Sequence, residues 1–265
     1  MEQEETKPKP RVAPKKITRT AERALDVLLC FSAETPALSM TEISEKVGIN
    51  KSTIHRLLAT LEEKRFVRRD PETGIYRLGF RLLQMANLTL EDINIRHLSL
   101  PYMKKLVEEF RETVDLAILD GDEVIFVDSV ESPQRVKLAA SPGQHLPAYN
   151  TASGKAILAY LSEEERIRIF KIYKPGADPK IELELRDFLD DLSASKQRGY
   201  AMDCESLEPG INAVAAPILG ANKKPIASVA IAGPAYRLDC KLMHAMGQQL
   251  VQTTKEITNR LLLNK

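Results

Sequence analysis

The segment 150–154 offers one kind of chemistry, the binding of an anion by backbone amides. It precedes an apolar stretch that predicts a helix, and the first amides of a helix have no partner within it. Small residues at Ala152, Ser153 and Gly154 would let a ligand carboxylate approach this backbone. A plain capped helix explains the same residues equally well. Ser153 lies in no G-x-S-x-G nucleophile elbow, so a serine hydrolase is not favoured.

Two enzymatic interpretations of the chain fit its sequence poorly. A phosphate-binding loop would need a glycine at Tyr149 and a serine or threonine at Ala156. Asp203, Cys204 and Glu205 place two carboxylates beside a thiol, which could form a catalytic or metal-binding set. None of the four histidines is near them in sequence, and a strand-end loop that lines a pocket is the favoured interpretation. We therefore predict no catalytic residues, no metal and no cofactor.

A helical hairpin with a sharp glycine turn is predicted between Ser39 and Leu61. Ser39 and Glu42 form a capping box that begins the first helix. Gly48 supplies the turn, and Asn50 is a favourable N-cap for the second helix. That helix has an apolar face, and its opposite face of small hydroxyls and cations suits a DNA major groove, although a solvated hairpin is the alternative. The exposed arc, with the helix start, comprises Lys51, Ser52, Thr53, His55 and Arg56.

The flanks of this hairpin strengthen the DNA-binding interpretation. A helix over 20–31, with an apolar stripe of Ala21, Ala24, Leu25 and Leu28, would close a small core, and 66–81 predicts a strand, a Pro-Glu-Thr-Gly turn and a second strand. Such an appended hairpin is a wing. Residues 7–81 carry a net charge of +7 and those from 82 onwards −3, so a basic N-terminal third lies within a nearly neutral chain. The wing arginines are Arg68, Arg69, Arg77 and Arg81.

Composition limits the class of protein. The 265 residues, 43% of them hydrophobic, suffice for one large or two modest domains. No apolar run approaches the ~18 residues of a membrane span, and the polar N-terminus does not resemble a secretion signal. The three cysteines are far apart in sequence, which argues against disulfides and zinc and favours a reducing cytoplasm. Residues 1–16 are expected to be a disordered basic tail, solvated or tracking DNA.

The chain after the wing predicts an α+β domain with one mixed or antiparallel sheet. A helix over 82–90 would link two domains. Asp120-Gly121-Asp122 predicts a hairpin between two β runs, and a third short strand is expected over 135–140. Further helices are predicted at about 92–110, after Asn150 or Thr151, from Ser162, over 181–198 and over 239–263, with strands near 200–204, 213–219 and 226–231.

These motifs together resemble the IclR family of bacterial transcriptional regulators, over about Thr18 to Leu263. The resemblance is carried by an ordered set of short motifs along the chain. They are K-S-T-x-x-R-L-L in the second hairpin helix, Tyr76 to Gly79, Leu146-Pro147, Gly154 to Ala156, Arg198 to Tyr200, Asp203 with Glu205, Pro209-Gly210, Ala215 to Pro217 and Gly233-Pro234.

The resemblance implies an N-terminal winged helix-turn-helix, a linker helix and a C-terminal GAF-like effector-binding domain. Under it, residues 17–80 would bind DNA, 81–92 would form the linker, and 93–265 would bind effector and oligomerise. Family members are usually dimers or dimers of dimers on palindromic operators, and many sense organic acids and control catabolic operons. We expect Ser52, Thr53 and Arg56 to contact bases, while Lys51 and the wing arginines contact phosphates.

The resemblance also assigns effector-binding positions. Ala213 stands where many members have cysteine, and Ala230 and Ala232 stand where serines are frequent, so this pocket should be roomier and more apolar. That disfavours a very small polar acid and leaves a larger, partly apolar or sugar-derived acid. A metabolite-binding enzyme with an incidental helical hairpin is the rival interpretation. The implied effector-binding residues are Leu138, Leu146, Ala152, Ser153, Gly154, Asp203, Ala213, Ala230 and Ala232.

Overall fold

The computed structural model describes residues 18–32, 34–91, 95–138, 140–176 and 178–263. The tail expected over residues 1–16 lies outside this range. The described residues form two compact units that divide near residue 92. Within them, no helix is long and apolar enough to cross a bilayer.

The first unit is a three-helix bundle with a small β-hairpin and a further helix. Its core is a single apolar cluster that includes Ile43, Ile54, Leu58 and Tyr76. Backbone bonds between Leu38 and Tyr76 attach the hairpin to the chain that precedes the second helix. The elements are α1 (Arg19–Leu29), α2 (Met40–Val47), α3 (Lys51–Glu63), β1 (Val67–Arg69), β2 (Tyr76–Leu78) and α4 (Phe80–Glu91).

Local sequence signals determine the geometry of the helical hairpin. Ser39 and Glu42 form the predicted reciprocal capping box at the start of α2. Gly48 ends α2 in the left-handed conformation at φ 70°, and Asn50 caps α3. The apolar stripe predicted for α1 is partly wrong, because Val27 is fully buried while Leu25 is 59% exposed. The core therefore meets α1 along a face rotated from the one predicted.

The second unit is one six-stranded antiparallel sheet with helices on both faces, which confirms the predicted α+β class. The strand order is β5-β4-β3-β8-β7-β6, and every pairing in it is antiparallel. Its elements are α5 (Ile95–Phe110), β3 (Thr113–Asp120), β4 (Glu123–Val130), β5 (His145–Pro147), α6 (Ala152–Leu158), α7 (Glu163–Tyr173), α8 (Pro179–Arg198), β6 (Ala201–Cys204), β7 (Ile211–Leu219), β8 (Pro225–Pro234) and α9 (Cys240–Leu263).

The two faces of this sheet have different cores. On one face, α5 and α9 pack on large side chains such as Leu116, Val229 and Ile231. On the other face, α6 packs on alanines of β6, β7 and β8, among them Ala215 and Ala230. Because alanine has a short side chain, α6 approaches these strands closely. The alanine face is the side of the sheet that carries the candidate site.

The third strand predicted over 135–140 is wrong. The described residues of that segment lie in a loop, and the strand that pairs with β4 is β5, further along the chain. This loop is held by hydrogen bonds to a side chain, and not by the backbone pairing of a strand. The Thr113 hydroxyl donates to the Leu138 carbonyl at 2.7 Å and accepts from the Ser132 amide at 3.2 Å.

Candidate functional site

The exposed face of α3 presents the predicted base-contacting side chains. Lys51, Ser52, His55 and Arg56 are exposed, and Thr53 is half-buried at the helix start. The Asn50 side-chain oxygen accepts from the Thr53 amide and from the Ser52 hydroxyl, each at 2.9 Å. Within the described part of the chain, Lys51, His55 and Arg56 make no side-chain hydrogen bond or ion pair. Their polar groups are therefore available to an external partner.

The wing places two arginines directly opposite each other. Arg68 and Arg77 are cross-strand partners and both are exposed, although like charges in this arrangement repel. The Arg68 guanidinium lies 5.1 Å from the Phe80 ring centroid, and that of Arg69 lies 5.9 Å from the Tyr76 centroid. These aromatic contacts orient the guanidinium groups of Arg68 and Arg69. An anion seated between Arg68 and Arg77 would relieve their repulsion, as a DNA phosphate would.

Arg65 is a further cation beside the wing, and no sequence pattern indicated it. It follows α3 in a left-handed conformation at φ 64° and lines a groove together with Arg68, Arg69 and Arg81. Gly79 passes so close to it that an added Cβ would lie 2.1 Å from the Arg65 carbonyl oxygen. The glycine after Tyr-Arg-Leu is therefore required by this close approach, which sets the position of the basic groove.

A cavity of about 190 Å³ lies between the alanine face of the sheet and the start of α6. Its floor has two rows of cross-strand partners. One row runs from Asp203 through Ala213 to Ala232, and the next contains Ala230 paired with Asp115. Eight of the nine implied effector-binding residues line this cavity: Leu138, Leu146, Ala152, Ser153, Asp203, Ala213, Ala230 and Ala232.

Gly154, the ninth, has a packing role instead of a place in the cavity lining. A Cβ on Gly154 would lie 2.1 Å from the Ala148 carbonyl oxygen, so only glycine fits there. Thr151 begins α6, because its hydroxyl accepts from the Gly154 amide at 3.1 Å and donates to the Pro147 carbonyl at 3.0 Å. The amides of Ala152 and Ser153 and the Ser153 hydroxyl have no partner among the described residues. Ala152 and Ser153 both line the cavity, so these three unpaired donors belong to its lining residues.

The polar groups on the sheet side are acceptors. Asp203 is 2% exposed, and its Oδ1 accepts from the Ser206 amide at 2.9 Å. Asp115, which sequence reasoning missed, is 3% exposed and lines the same cavity. Burial raises the pKa of Asp115 from 3.8 to about 6, and the Ser129 hydroxyl opposes this rise. One acidic residue within the otherwise apolar run 114–119 was the signal available in the sequence.

The acid and thiol cluster does not resemble a catalytic centre. Cys204 lies at the end of β6 with much of its surface exposed, and partial burial of its sulfur, together with the neighbouring Asp203 carboxylate, raises the pKa of the thiol. A raised thiol pKa disfavours the thiolate that a cysteine nucleophile requires. Within the described ranges, no group of three or more His, Cys, Asp or Glu side chains could hold a metal ion.

Comparison with known protein families assigns both units. The model of the IclR helix-turn-helix domain matches residues 20–71, and that of the bacterial transcriptional regulator IclR C-terminal region matches 87–259. The transcriptional regulator XynR of Escherichia coli K12 is 31% identical over 89% of this chain and 94% of its own length. The transcriptional repressor IclR of the same organism is 30% identical over 89% and 87%.

Solved structures agree with this assignment. The IclR crystal structure from Thermotoga maritima has 30% identity and a TM-score of 0.73, with 92% of this chain and 98% of that one covered. An IclR homologue from Microbacterium hydrocarbonoxydans, crystallised with 4-hydroxybenzoate, shares the fold at 23% identity and a TM-score of 0.79, over 92% and 99%. The relatives are regulators, which excludes the rival enzyme interpretation. The chain belongs to the IclR family of DNA-binding bacterial transcriptional regulators.

Proposed function

We propose that this regulator represses a catabolic operon by binding a palindromic operator as a homodimer or a dimer of dimers in the cytoplasm. Two relatives, the transcriptional repressor IclR and the acetate operon repressor of Salmonella typhimurium, are named as repressors, which supports the sign of control. The exposed face of α3 supports base contacts by Ser52, Thr53 and Arg56. The wing arginines and Lys51 would neutralise phosphates on either side.

The salt dependence and the sequence preference of DNA binding test the proposed DNA contacts. Each neutralised phosphate contributes a slope of roughly −0.9 to log K against log salt. Fluorescence anisotropy with the DNA upstream of the regulated gene should therefore show affinity that falls steeply with salt. Scrambled DNA of equal length should bind more weakly at every salt concentration. Equal affinity for both DNAs would contradict base contact by α3.

The cavity would bind a small organic acid as effector, and the grouping of its donors is the observation that carries this part of the proposal. The acid's carboxylate would accept from the amides of Ala152 and Ser153 and from the Ser153 hydroxyl. Its apolar part would lie on the floor of Ala213 and Ala232, which offers no hydrogen bonds. Asp203 would accept a hydrogen bond from a ligand hydroxyl, because a second ligand carboxylate beside it would be repelled.

A volume change in the floor tests where the effector binds. Ala232→Leu places a large side chain in the cavity on the row that begins at Asp203. A thermal-shift screen of organic acids should find acids that stabilise the unmodified protein and leave Ala232→Leu unchanged. Leu242→Ala, at a 36% exposed position on α9, is a control that should retain the response. A best ligand that is cationic, or one that stabilises Ala232→Leu equally, would refute this assignment.

A further inference from the structure

Asp115 is a buried carboxyl group whose hydrogen-bonding capacity is incompletely used. It is the third residue of β3 and lines the cavity, and its enclosed Oδ1 has no well-formed hydrogen bond among the described residues. The buried Ser129 hydroxyl, on the cross-strand partner of Asp115, lies close enough to lower the pKa of this carboxyl group but makes no well-formed hydrogen bond to it. Buried polar groups are nearly always paired, so a buried carboxyl group that lines a cavity and makes no well-formed hydrogen bond within the chain indicates a partner from outside it.

No cation in the described structure offsets the charge of Asp115. The cavity lining contains no lysine, arginine or histidine, and its other acids are Asp203 and Glu208. Asp203 already accepts an amide hydrogen bond, and Glu208 is exposed to solvent. Asp115 is therefore the carboxyl group in this cavity with the largest unmet demand for a donor. With a pKa of about 6, it is mostly ionised at pH 7 and above and acts as an acceptor.

The position of Asp115 separates it from Asp203, the carboxyl group already assigned to the effector. It lies on β3, while Asp203 lies on β6, and the intervening β8 and β7 put roughly 14 Å between their backbones at ~4.8 Å per strand. A ligand group that reaches Asp115 is therefore distinct from the hydroxyl at Asp203.

We propose that the effector carries a hydrogen-bond donor, a hydroxyl or an ammonium group, that the Asp115 carboxylate accepts at the β3 side of the cavity. The proposal rests on the effector cavity argued above and narrows its ligand to acids with a second polar group. Unsubstituted acids would leave the carboxylate of Asp115 buried without a partner. The ligand's donor group therefore determines selectivity, because hydrogen bonds to charged groups are the strong ones.

Calorimetric titration with matched acids tests this subsite. The probes are benzoate against 4-hydroxybenzoate, and butyrate against 4-hydroxybutyrate and 4-aminobutyrate. In the unmodified protein, an acid with the donor should bind about ten- to a hundredfold more tightly than its parent. The arms with 4-hydroxybutyrate and 4-aminobutyrate distinguish a hydroxyl donor from an ammonium donor.

Variants of Asp115 identify the acceptor. Asp115→Ala should bring the affinity ratio between substituted and parent acid close to one. Asp115→Asn, which keeps the shape and an uncharged acceptor, should give an intermediate ratio. Asp120→Asn, a carboxyl group at the exposed end of the same strand and outside the cavity lining, should keep the ratio of the unmodified protein. Circular dichroism of each variant establishes that it is folded before the ratios are compared.

The outcomes separate this proposal from the one on which it rests. If acids bind the unmodified protein but not Ala232→Leu, the effector cavity stands. The Asp115 subsite would still be overturned by an affinity ratio near one in the unmodified protein, or by a ratio that Asp115→Ala leaves unchanged. Binding of unsubstituted acids with uptake of one proton would also overturn it, since Asp115 would then be a donor. Equal binding to the unmodified protein and Ala232→Leu would instead overturn the effector cavity.

Discussion

Replacement of Asp115 by asparagine should change how the stability of the effector-binding unit depends on pH. The pKa of Asp115 is raised by burial from 3.8 to about 6, so the folded protein holds this proton more tightly than the unfolded chain does. The stabilisation is fully present below pH 4 and is lost as pH rises through 6. A shift of this size corresponds to about 3 kcal/mol in total. Asp115→Asn has no such titration.

The change in stability that Asp115 contributes can be calculated for a pH range that is accessible to experiment. Between pH 5 and pH 8 the linkage amounts to about 1.4 kcal/mol, because part of the titration lies below pH 5. For a unit of this size, that corresponds to a change of about 3 to 6 °C in melting temperature. The difference in melting temperature, Asp115→Asn minus unmodified protein, should therefore grow by this amount from pH 5 to pH 8.

Differential scanning calorimetry at half-unit pH steps, without added acids, measures this difference directly. Other titrating groups are common to both proteins, so their contributions cancel in the comparison. Asp120→Asn, at the exposed end of the same strand, controls for the loss of one carboxylate from β3. If the difference in melting temperature between Asp115→Asn and the unmodified protein were constant from pH 5 to pH 8, burial would not raise the pKa of Asp115.

Three further variants test the DNA-binding face and the packing of α6. Arg56→Ala should cost about 1 to 3 kcal/mol of operator binding and little of random-DNA binding, by anisotropy; equal losses would make Arg56 a phosphate contact. Arg69→Ala should weaken binding to all sequences alike and flatten the salt slope by about 0.9, whereas an unchanged slope would remove it from the phosphate contacts. Gly154→Ala should destabilise the protein by about 1 to 3 kcal/mol in urea unfolding, since its Cβ meets the Ala148 carbonyl; no loss would refute that close approach.

Local signals predicted the DNA-binding unit in detail. The capping box at Ser39, the left-handed Gly48 and the Asn50 cap are encoded within a few residues, so the sequence sufficed to place α2 and α3. The buried face of α1 was partly mispredicted. Both Val27 and Leu25 are apolar, and which of them faces the core depends on how α1 packs against the other helices. Periodicity alone does not contain that information.

The candidate effector cavity was predictable only in part. The resemblance supplied eight of its lining residues, yet the strand expected over 135–140 is a loop held by the Thr113 side chain, a tertiary contact without a local signature. Asp115 was missed because its strand alternates between two buried faces, and sequence does not show which face encloses a cavity. Pairing with Ala230, opposite α6, is what gives this carboxyl group its place.

If an acid in the cavity controls operator binding, a competition titration should show it. A labelled operator is bound to the unmodified protein and to Ala232→Leu, and the best acid from the thermal-shift screen is then added while anisotropy is recorded. We expect equal operator affinity without acid, release of operator from the unmodified protein on addition of acid, and no release from Ala232→Leu. Release from both proteins, or from neither while the acid still stabilises the unmodified protein, would contradict this control.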